Sequence, residues 1–128
     1  MDKTELAAYI AEQYAVTPDC PWADYPDYNV FRHRGSKKWF ALIMNIPRAK
    51  LKLAGEGNID VVNLKCDPML VGSLTRERGV FPAWHMNKTH WITVALDGSA
   101  DSELTKMLLD ASFTLTAPKR KQSKGSNV

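Results

Sequence analysis

The sequence predicts an α+β fold: an antiparallel sheet of four to five strands built from hairpins, with N- and C-terminal helices and one inserted helix. Three observations predict this class. Apolar side chains recur at helical spacing near both ends of the chain and after Asp67-Pro68. Runs rich in β-branched and aromatic residues occupy the middle, and turn-forming residues separate them. Strands joined by short turns pair antiparallel, and helices at the two ends of the chain cover one face of such a sheet.

Local signals place the elements in chain order. Asp2 and Glu5 form a capping-box pattern, which predicts that the first helix begins at residue 3. A loop rich in proline and aspartate follows, and Gly35-Ser36 then lies between two β-prone runs, as in a two-residue hairpin. The predicted elements are helix 3–15, strands 29–34, 39–46, 48–53 and 59–66, helix 68–77, strand 91–96 and helix 100–115.

The strands differ in how they distribute apolar side chains. Residues 39–46 are apolar on both faces, so this strand should be central in the sheet. The run RAKLKL (48–53) alternates, which places Arg48, Lys50 and Lys52 on one face and apolar side chains on the other. In the next strand, Cys66 falls on the apolar face.

The second and third helices have clear start signals. Asp67 is a favoured N-cap, Pro68 suits the first helical position, and Gly79 suits the C-terminal cap. The final helix is expected to bury an apolar stripe at helical spacing, formed by Leu104, Met107, Leu108, Ala111 and Leu115.

Length and composition favour one soluble domain. The chain has 128 residues, and we place a single domain at residues 1–117 and a disordered basic tail at 118–128. No apolar run is long enough to cross a membrane, and the N-terminus lacks the pattern of a secretory signal. Cys20 and Cys66 form no CxxC pair. These features predict a cytoplasmic protein with no disulfide framework, no metal and no cofactor.

The formal net charge of +3 is unevenly distributed. Residues 1–28 hold six acids and one base, whereas residues 29–53 hold seven bases and no acid. Such a basic segment indicates a polyanionic partner; the alternative is a solvated strand face whose cations prevent edge-to-edge aggregation. The candidate nucleic-acid-binding residues are Arg32, Arg34, Lys37, Lys38, Arg48, Lys50 and Lys52.

Four motifs resemble a known family. They are VNLKCDP (62–68), WHMNKTHWITV (84–94), DG (97–98) and ASFTL (111–115), and their order and separations resemble the MmcQ/YjbR family of small bacterial proteins. The resemblance covers about residues 3–117. It implies a compact CyaY-like α+β fold with two projecting β elements, described as a double-wing DNA-binding motif. It implies no established enzymatic activity, and the basic tail lies beyond the shared region.

The stretch HMNKTHW (85–91) is dense in functional side chains. His85 and His90 are five residues apart, and this spacing does not place two side chains on the same face of a helix or of a strand. No zinc site is therefore predicted. Asn87 is expected to cap a single turn that aims Trp91 inward and Lys88 or His90 outward. The candidate pocket at this corner comprises Lys65, His85, Asn87, Lys88, His90 and Trp91.

Two functions fit these observations best. The preferred one is a non-enzymatic DNA-binding module, a monomer or weak dimer with no membrane partner, that contacts the phosphate backbone through two basic β-hairpin wings. The alternative is a small-molecule or protein-interaction domain with its pocket at the HMNKTHW corner. A third, an enzyme that uses His85 or His90, is not predicted, because a nucleophilic role for Cys66 conflicts with its apolar position and no other catalytic constellation is recognisable.

Overall fold

The computed structural model describes residues 1–118, and their arrangement confirms the α+β class. The five strands form one antiparallel sheet in the order β1-β2-β3-β5-β4. The elements are α1 (Lys3–Tyr14), β1 (Asn29–Arg32), β2 (Trp39–Pro47), a 3-10 helix (Arg48–Leu51), β3 (Asn58–Lys65), α2 (Pro68–Leu74), β4 (Val80–Pro82), β5 (Trp91–Ala95) and α3 (Ser102–Thr116). The tail predicted at 118–128 lies outside the described residues from position 119 onward.

Helix starts agree with the sequence signals. The Asp2 carboxylate accepts a hydrogen bond from the Glu5 amide at 2.8 Å, and the Glu5 carboxylate accepts one from the Asp2 amide at 2.9 Å, which completes the capping box. Asp67 caps α2 in the predicted way. Strand β4 was not predicted, because three residues ending in Pro82 carry too little periodicity to be recognised.

Helices α1 and α3 pack on one face of the sheet, but of the predicted stripe α3 packs only Leu104 and Leu108 against the core. Its buried residues are Thr105, Leu108, Leu109, Ser112 and Thr116, whereas Met107 and Leu115 are 59% and 49% exposed. The Ser112 hydroxyl donates to the Phe40 carbonyl at 2.6 Å and accepts from the Lys65 amide at 2.8 Å. Through these two bonds, the hydroxyl bridges β2 and β3 just beyond their last paired residues. Because Ser112 faces the sheet, the buried side of α3 differs from the purely apolar stripe.

Helix α1 is joined to α3 through one carboxylate. The hydroxyls of Tyr9 and Tyr14 both donate to Asp110, Tyr14 at 2.6 Å. The Tyr14 ring stacks on Phe113 with 3.8 Å between centroids. Burial and then the hydrogen bond to Asp110 raise the pKa of Tyr14, because both disfavour the charged phenolate.

The connection between β2 and β3 corrects the strand predicted at 48–53. Arg48–Leu51 form a 3-10 helix, and Lys52 adopts a left-handed conformation with φ of 58°. Pro47 has no N–H to donate to the ladder, and the Arg48 guanidinium donates to the Ala54 carbonyl at 2.9 Å, which closes the loop.

Two turns also differ from expectation. β1 ends at Arg32 and β2 begins at Trp39, so residues 33–38 form the hairpin turn instead of Gly35-Ser36 alone. Helix α2 ends at Leu74, and Gly79 is not its cap. With φ of 80°, Gly79 instead lets the chain turn into β4.

The other face of the sheet, which we call the loop face, is apolar as well. Its buried core comprises Val30, Leu42, Met44, Ile46, Ile59, Val61 and Ala95. Within residues 1–118, its cover comes from the loops 17–28, 48–57 and 83–90, which supply side chains such as Trp22, Leu51 and Trp84. None of the helices found in this part of the chain is long and apolar enough to cross a membrane.

Candidate functional site

A cleft lined mainly by aromatic side chains opens on the loop face. Its volume is about 560 Å³, which is within the range of small-ligand sites. The floor is β2, and the walls are the loops 17–28 and 83–90. Its five aromatic residues, which define the aromatic cleft, are Trp22, Tyr25, Tyr28, Trp39 and Trp84.

The rings of the aromatic cleft support one another. Trp22 meets Trp39 edge to face at 5.6 Å and Tyr28 at 6.1 Å between centroids. Tyr25 stacks on Tyr28 at 4.8 Å and is 53% exposed, so it forms the outer edge of the cleft. These contacts orient the rings before any ligand arrives, which lowers the entropy that binding would cost.

Trp84 is held in place by a buried polar network. The Asn63 side-chain amide donates to the Trp84 carbonyl at 2.9 Å, and the Trp84 amide donates to the Thr93 hydroxyl at 3.0 Å. The Thr93 hydroxyl in turn donates to the side-chain carbonyl oxygen of Asn63 at 2.5 Å, which closes the ring of hydrogen bonds. Asn63 and Thr93 are fully buried. Two of the motifs therefore meet in space: β3 and β5 each supply one side chain that satisfies the backbone of Trp84.

The chain then turns sharply over the sheet. His85 has a left-handed φ of 64°, which is uncommon for a residue with a side chain, and its ring lies 3.7 Å from that of Trp84. The Asn87 side chain accepts from the Thr89 amide at 2.8 Å, and its carbonyl accepts from the Trp91 amide at 3.0 Å. The predicted capped turn at Asn87 is confirmed.

A second cleft, smaller and basic, adjoins the first. We call it the lysine cleft: Lys50, Lys52 and Lys88 surround Phe81, Pro82 and Trp84 in a volume of about 270 Å³. All three lysines are exposed, and none has a carboxylate within 4.0 Å among residues 1–118. Trp84 lines both clefts. Lys88 comes from the corner and the other two from the β2–β3 connection, so only the tertiary structure brings them together.

The seven predicted nucleic-acid-binding residues do not form one continuous surface. Arg34, Lys37 and Lys38 lie in the turn that precedes β2, whereas Arg48, Lys50 and Lys52 follow it. Because β2 has nine residues, its ends are about 27 Å apart at roughly 3.4 Å per residue.

Two of the seven are engaged by the protein itself. Arg32 pairs with Asp19 at 2.8 Å and covers the Trp39 ring at 5.5 Å. The half-buried Arg48 donates to Ala54, as described above. The remaining five are exposed.

The six residues of the predicted corner pocket are distributed among different surfaces. His85 lines the aromatic cleft and Lys88 the lysine cleft. Lys65 and Trp91 form a third depression of about 300 Å³, where the Lys65 ammonium lies 5.5 Å from the half-buried Trp91 ring. Trp91 is therefore not turned inward as expected. Asn87 forms the turn, and the His90 carbonyl accepts from the Cys66 amide at 2.8 Å.

The geometry gives little support to a nucleophilic role for Cys66 or to a metal site in the described part of the chain. Cys66 is 5% exposed, and burial together with the neighbouring Asp67 raises the pKa of its thiol, which disfavours the reactive thiolate. Among the described residues, no three His, Cys, Asp or Glu side chains cluster as a metal ion would require.

The sequence-based reasoning missed most of the aromatic cleft. Its signal was present in PWADYPDY (21–28), where three aromatic residues stand in a proline-rich loop. Because loops lie at the surface, aromatic residues in such a loop indicate a structural or functional role. The contribution of Asn63 had no local signal, since it follows from pairing with β5.

Comparisons with known proteins agree on one family. The sequence model described as YjbR matches residues 11–115. The uncharacterized protein YyaQ of Bacillus subtilis is 38% identical over 116 residues, covering 91% of this chain and 98% of YyaQ. A crystal structure of a Pseudomonas syringae protein superposes with a TM-score of 0.89 at 44% identity, covering 91% of this chain and all of that one. The Deinococcus radiodurans protein DR2400 superposes with a TM-score of 0.67 at 25% identity, covering 92% of this chain and 80% of that one.

Proposed function

The chain belongs to the YjbR family, and we propose that it is a non-enzymatic DNA-binding module that contacts its ligand with the loop face of the sheet. The observation that carries this proposal is the lysine cleft, where three exposed ammonium groups from two separate segments surround a tryptophan and a phenylalanine. A cytoplasmic location and a monomeric or weakly dimeric state are part of the proposal.

The charge of the lysine cleft suits a phosphate backbone. Lys50, Lys52 and Lys88 are exposed and have no acidic partner within 4.0 Å in the described part of the chain. Each ammonium group that neutralises a phosphate releases a counterion. Three such contacts give a log–log salt slope of roughly −2 on single strands and −3 on duplex DNA.

In the structure, the first wing corresponds to the β1–β2 turn at 33–38 and the second to the β2–β3 connection at 48–57, and the two contribute unequally in this proposal. The second wing supplies Lys50 and Lys52, which lie beside the aromatic residues, whereas Arg34, Lys37 and Lys38 are at the opposite end of β2. A ligand that touches both wings must extend over about 27 Å, which is most of a duplex turn of roughly 34 Å. We therefore assign the main contact to the lysine cleft and an extended contact to the first wing.

The experiment measures fluorescence anisotropy of labelled DNA, single-stranded and duplex, over a series of salt concentrations. The test variant replaces Lys50, Lys52 and Lys88 by glutamine. We expect the single-strand slope to fall by about 2 and the affinity at ~0.15 M salt to fall by about 50-fold. A chain that ends at Ala117 separates the contribution of the tail.

A matched control removes the same charge elsewhere. Lys3, Arg76 and Arg78 lie on or beside α1 and α2 and line neither cleft, and their glutamine variant changes the net charge equally. The control should retain the slope of the parent protein. An unchanged slope in the test variant, an equal loss in the control, or a larger loss from removal of the tail would each refute the lysine cleft as the contact surface.

A second candidate function is recognition of a small molecule, and the size and lining of the aromatic cleft favour it. A thermal-shift screen tests it directly. A ligand that stabilises the parent protein but not a His85→Ala variant would support this function, and a screen without any shift would count against it.

A further inference from the structure

We infer that the ligand is single-stranded DNA, and that an unpaired base enters the aromatic cleft while the neighbouring phosphates lie on the lysine cleft. This inference rests on the proposed function and names its ligand class. The two clefts form one site in this proposal, because Trp84 lines both of them.

The two clefts offer the two kinds of contact that a nucleotide needs. The aromatic cleft presents rings, and no aspartate, glutamate, lysine or arginine is among the described residues that line it. The lysine cleft presents three exposed ammonium groups. Proteins that bind single strands combine aromatic side chains, on which bases stack, with a basic groove that follows the backbone.

Duplex DNA fits this arrangement poorly. In a duplex the faces of every base are stacked against neighbouring bases, so a ring in the protein reaches a base face only when the base leaves the stack. The aromatic rings here are recessed between the loops 17–28 and 83–90, and Trp22, Trp39 and Trp84 are only partly exposed. An unpaired base reaches them without the energy that unstacking a duplex requires.

The aromatic cleft is also built to keep its shape. The hydrogen bonds from Asn63 and to Thr93 fix the Trp84 backbone, and the edge-to-face contact with Trp22 fixes Trp39. The exposed Tyr25 offers a ring at the entrance that can be changed with little risk to folding. It is therefore the residue of choice for a test.

The experiment uses the full chain and compares three labelled probes by anisotropy. They are an oligothymidine within the ~4–16-nucleotide range of single-strand sites, an abasic oligomer of equal length and a matching duplex. We expect the oligothymidine to bind about 5- to 100-fold more tightly than the abasic oligomer, and more tightly than the duplex. Tyr25→Ala should remove much of this preference without changing the salt slope. Tyr25→Phe, which keeps the ring, should restore it.

The outcomes separate the two proposals. Equal binding of the abasic oligomer and oligothymidine, or tighter binding of the duplex, would overturn the single-strand inference and leave DNA binding by the lysines intact. No binding of any probe would overturn both. A preference that survives in Tyr25→Ala would overturn the placement of a base against Tyr25 at the entrance of the aromatic cleft. The same assay also includes an oligouridine of equal length, and binding of this probe more than about tenfold tighter than that of the oligothymidine would overturn the assignment to DNA.

Discussion

Replacing Asn63 by leucine removes the side-chain amide that donates a hydrogen bond to the Trp84 carbonyl. Leucine has a similar volume but no polar atoms, so two buried groups lose their partners: the Trp84 carbonyl and the hydrogen of the Thr93 hydroxyl. An unsatisfied buried group costs about 1–3 kcal/mol. The Trp84 backbone is only partly buried, which favours the lower half of that range. We expect the free energy of unfolding to fall by about 2–4 kcal/mol.

The ring of three hydrogen bonds makes a second variant informative. Thr93→Val also leaves two groups without partners, namely the Trp84 amide and the side-chain carbonyl oxygen of Asn63. The double variant again leaves only two, the amide and the carbonyl of Trp84, because both polar side chains are gone. Its cost should therefore be about that of one single variant, roughly 2–4 kcal/mol, and not their sum.

The assay is urea denaturation, followed by tryptophan fluorescence and by circular dichroism. Asn58→Leu is the control: it changes the same residue type in the same strand, but at an exposed position, where the side-chain hydrogen bond to Asn45 can be replaced by water. It should cost less than about 1 kcal/mol. A loss below about 1 kcal/mol for Asn63→Leu, or additive costs in the double variant, would refute the network as the support of Trp84.

Two other predictions follow from the structure. Burial lowers the pKa of His33, so its stabilising contribution is complete above the unfolded pKa of about 6.5 and declines as the pH falls below that value. The free energy of unfolding should fall by up to about 1.4 kcal/mol per pH unit there, and His33→Gln should remove this dependence. Gly79→Ala should cost more than about 2 kcal/mol in thermal or urea unfolding, because a Cβ would lie 2.6 Å from the Ala100 amide nitrogen at a φ of 80°.

Each of these has a matched control. His85→Gln changes the same residue type at an exposed position, and loss of the pH dependence in this variant would contradict the role of His33. Gly98 has φ of 89° but open space around it, so Gly98→Ala should cost only about 1 kcal/mol for the backbone conformation. Equal costs at Gly79 and Gly98 would mean that the contact with Ala100 does not matter.

Elements with strong local signals were predictable from the sequence. The capping box at Asp2, the Asp67-Pro68 start of α2 and the apolar run of β2 each act over a few neighbouring residues, and each is present in the structure. The strand predicted at 48–53 failed because alternation there reflected two leucines packing on the loop face from an irregular loop. A period of two does not distinguish such a loop from a strand.

The candidate site was predictable only in part. The corner at 85–91 was recognised by its residue types, and the capped turn at Asn87 follows from local hydrogen bonding. The stripe predicted for α3 was correct at Leu104 and Leu108 and wrong at its other three positions. Ser112 instead faces the sheet and bonds to β2 and β3, and no helical periodicity contains that information.

The sequence by itself determined the α+β class, the family and the presence of a basic segment, since these depend on periodicity, motifs and composition. Tertiary structure decided which lysines and arginines lie close together. It separated the two ends of β2 by about 27 Å and brought Lys88 to Lys50 and Lys52 around Trp84. It also assembled the aromatic cleft from two loops and a strand. The physical reason is that loops are placed by packing against a sheet whose strands pair across long separations, and such contacts leave no pattern in neighbouring residues.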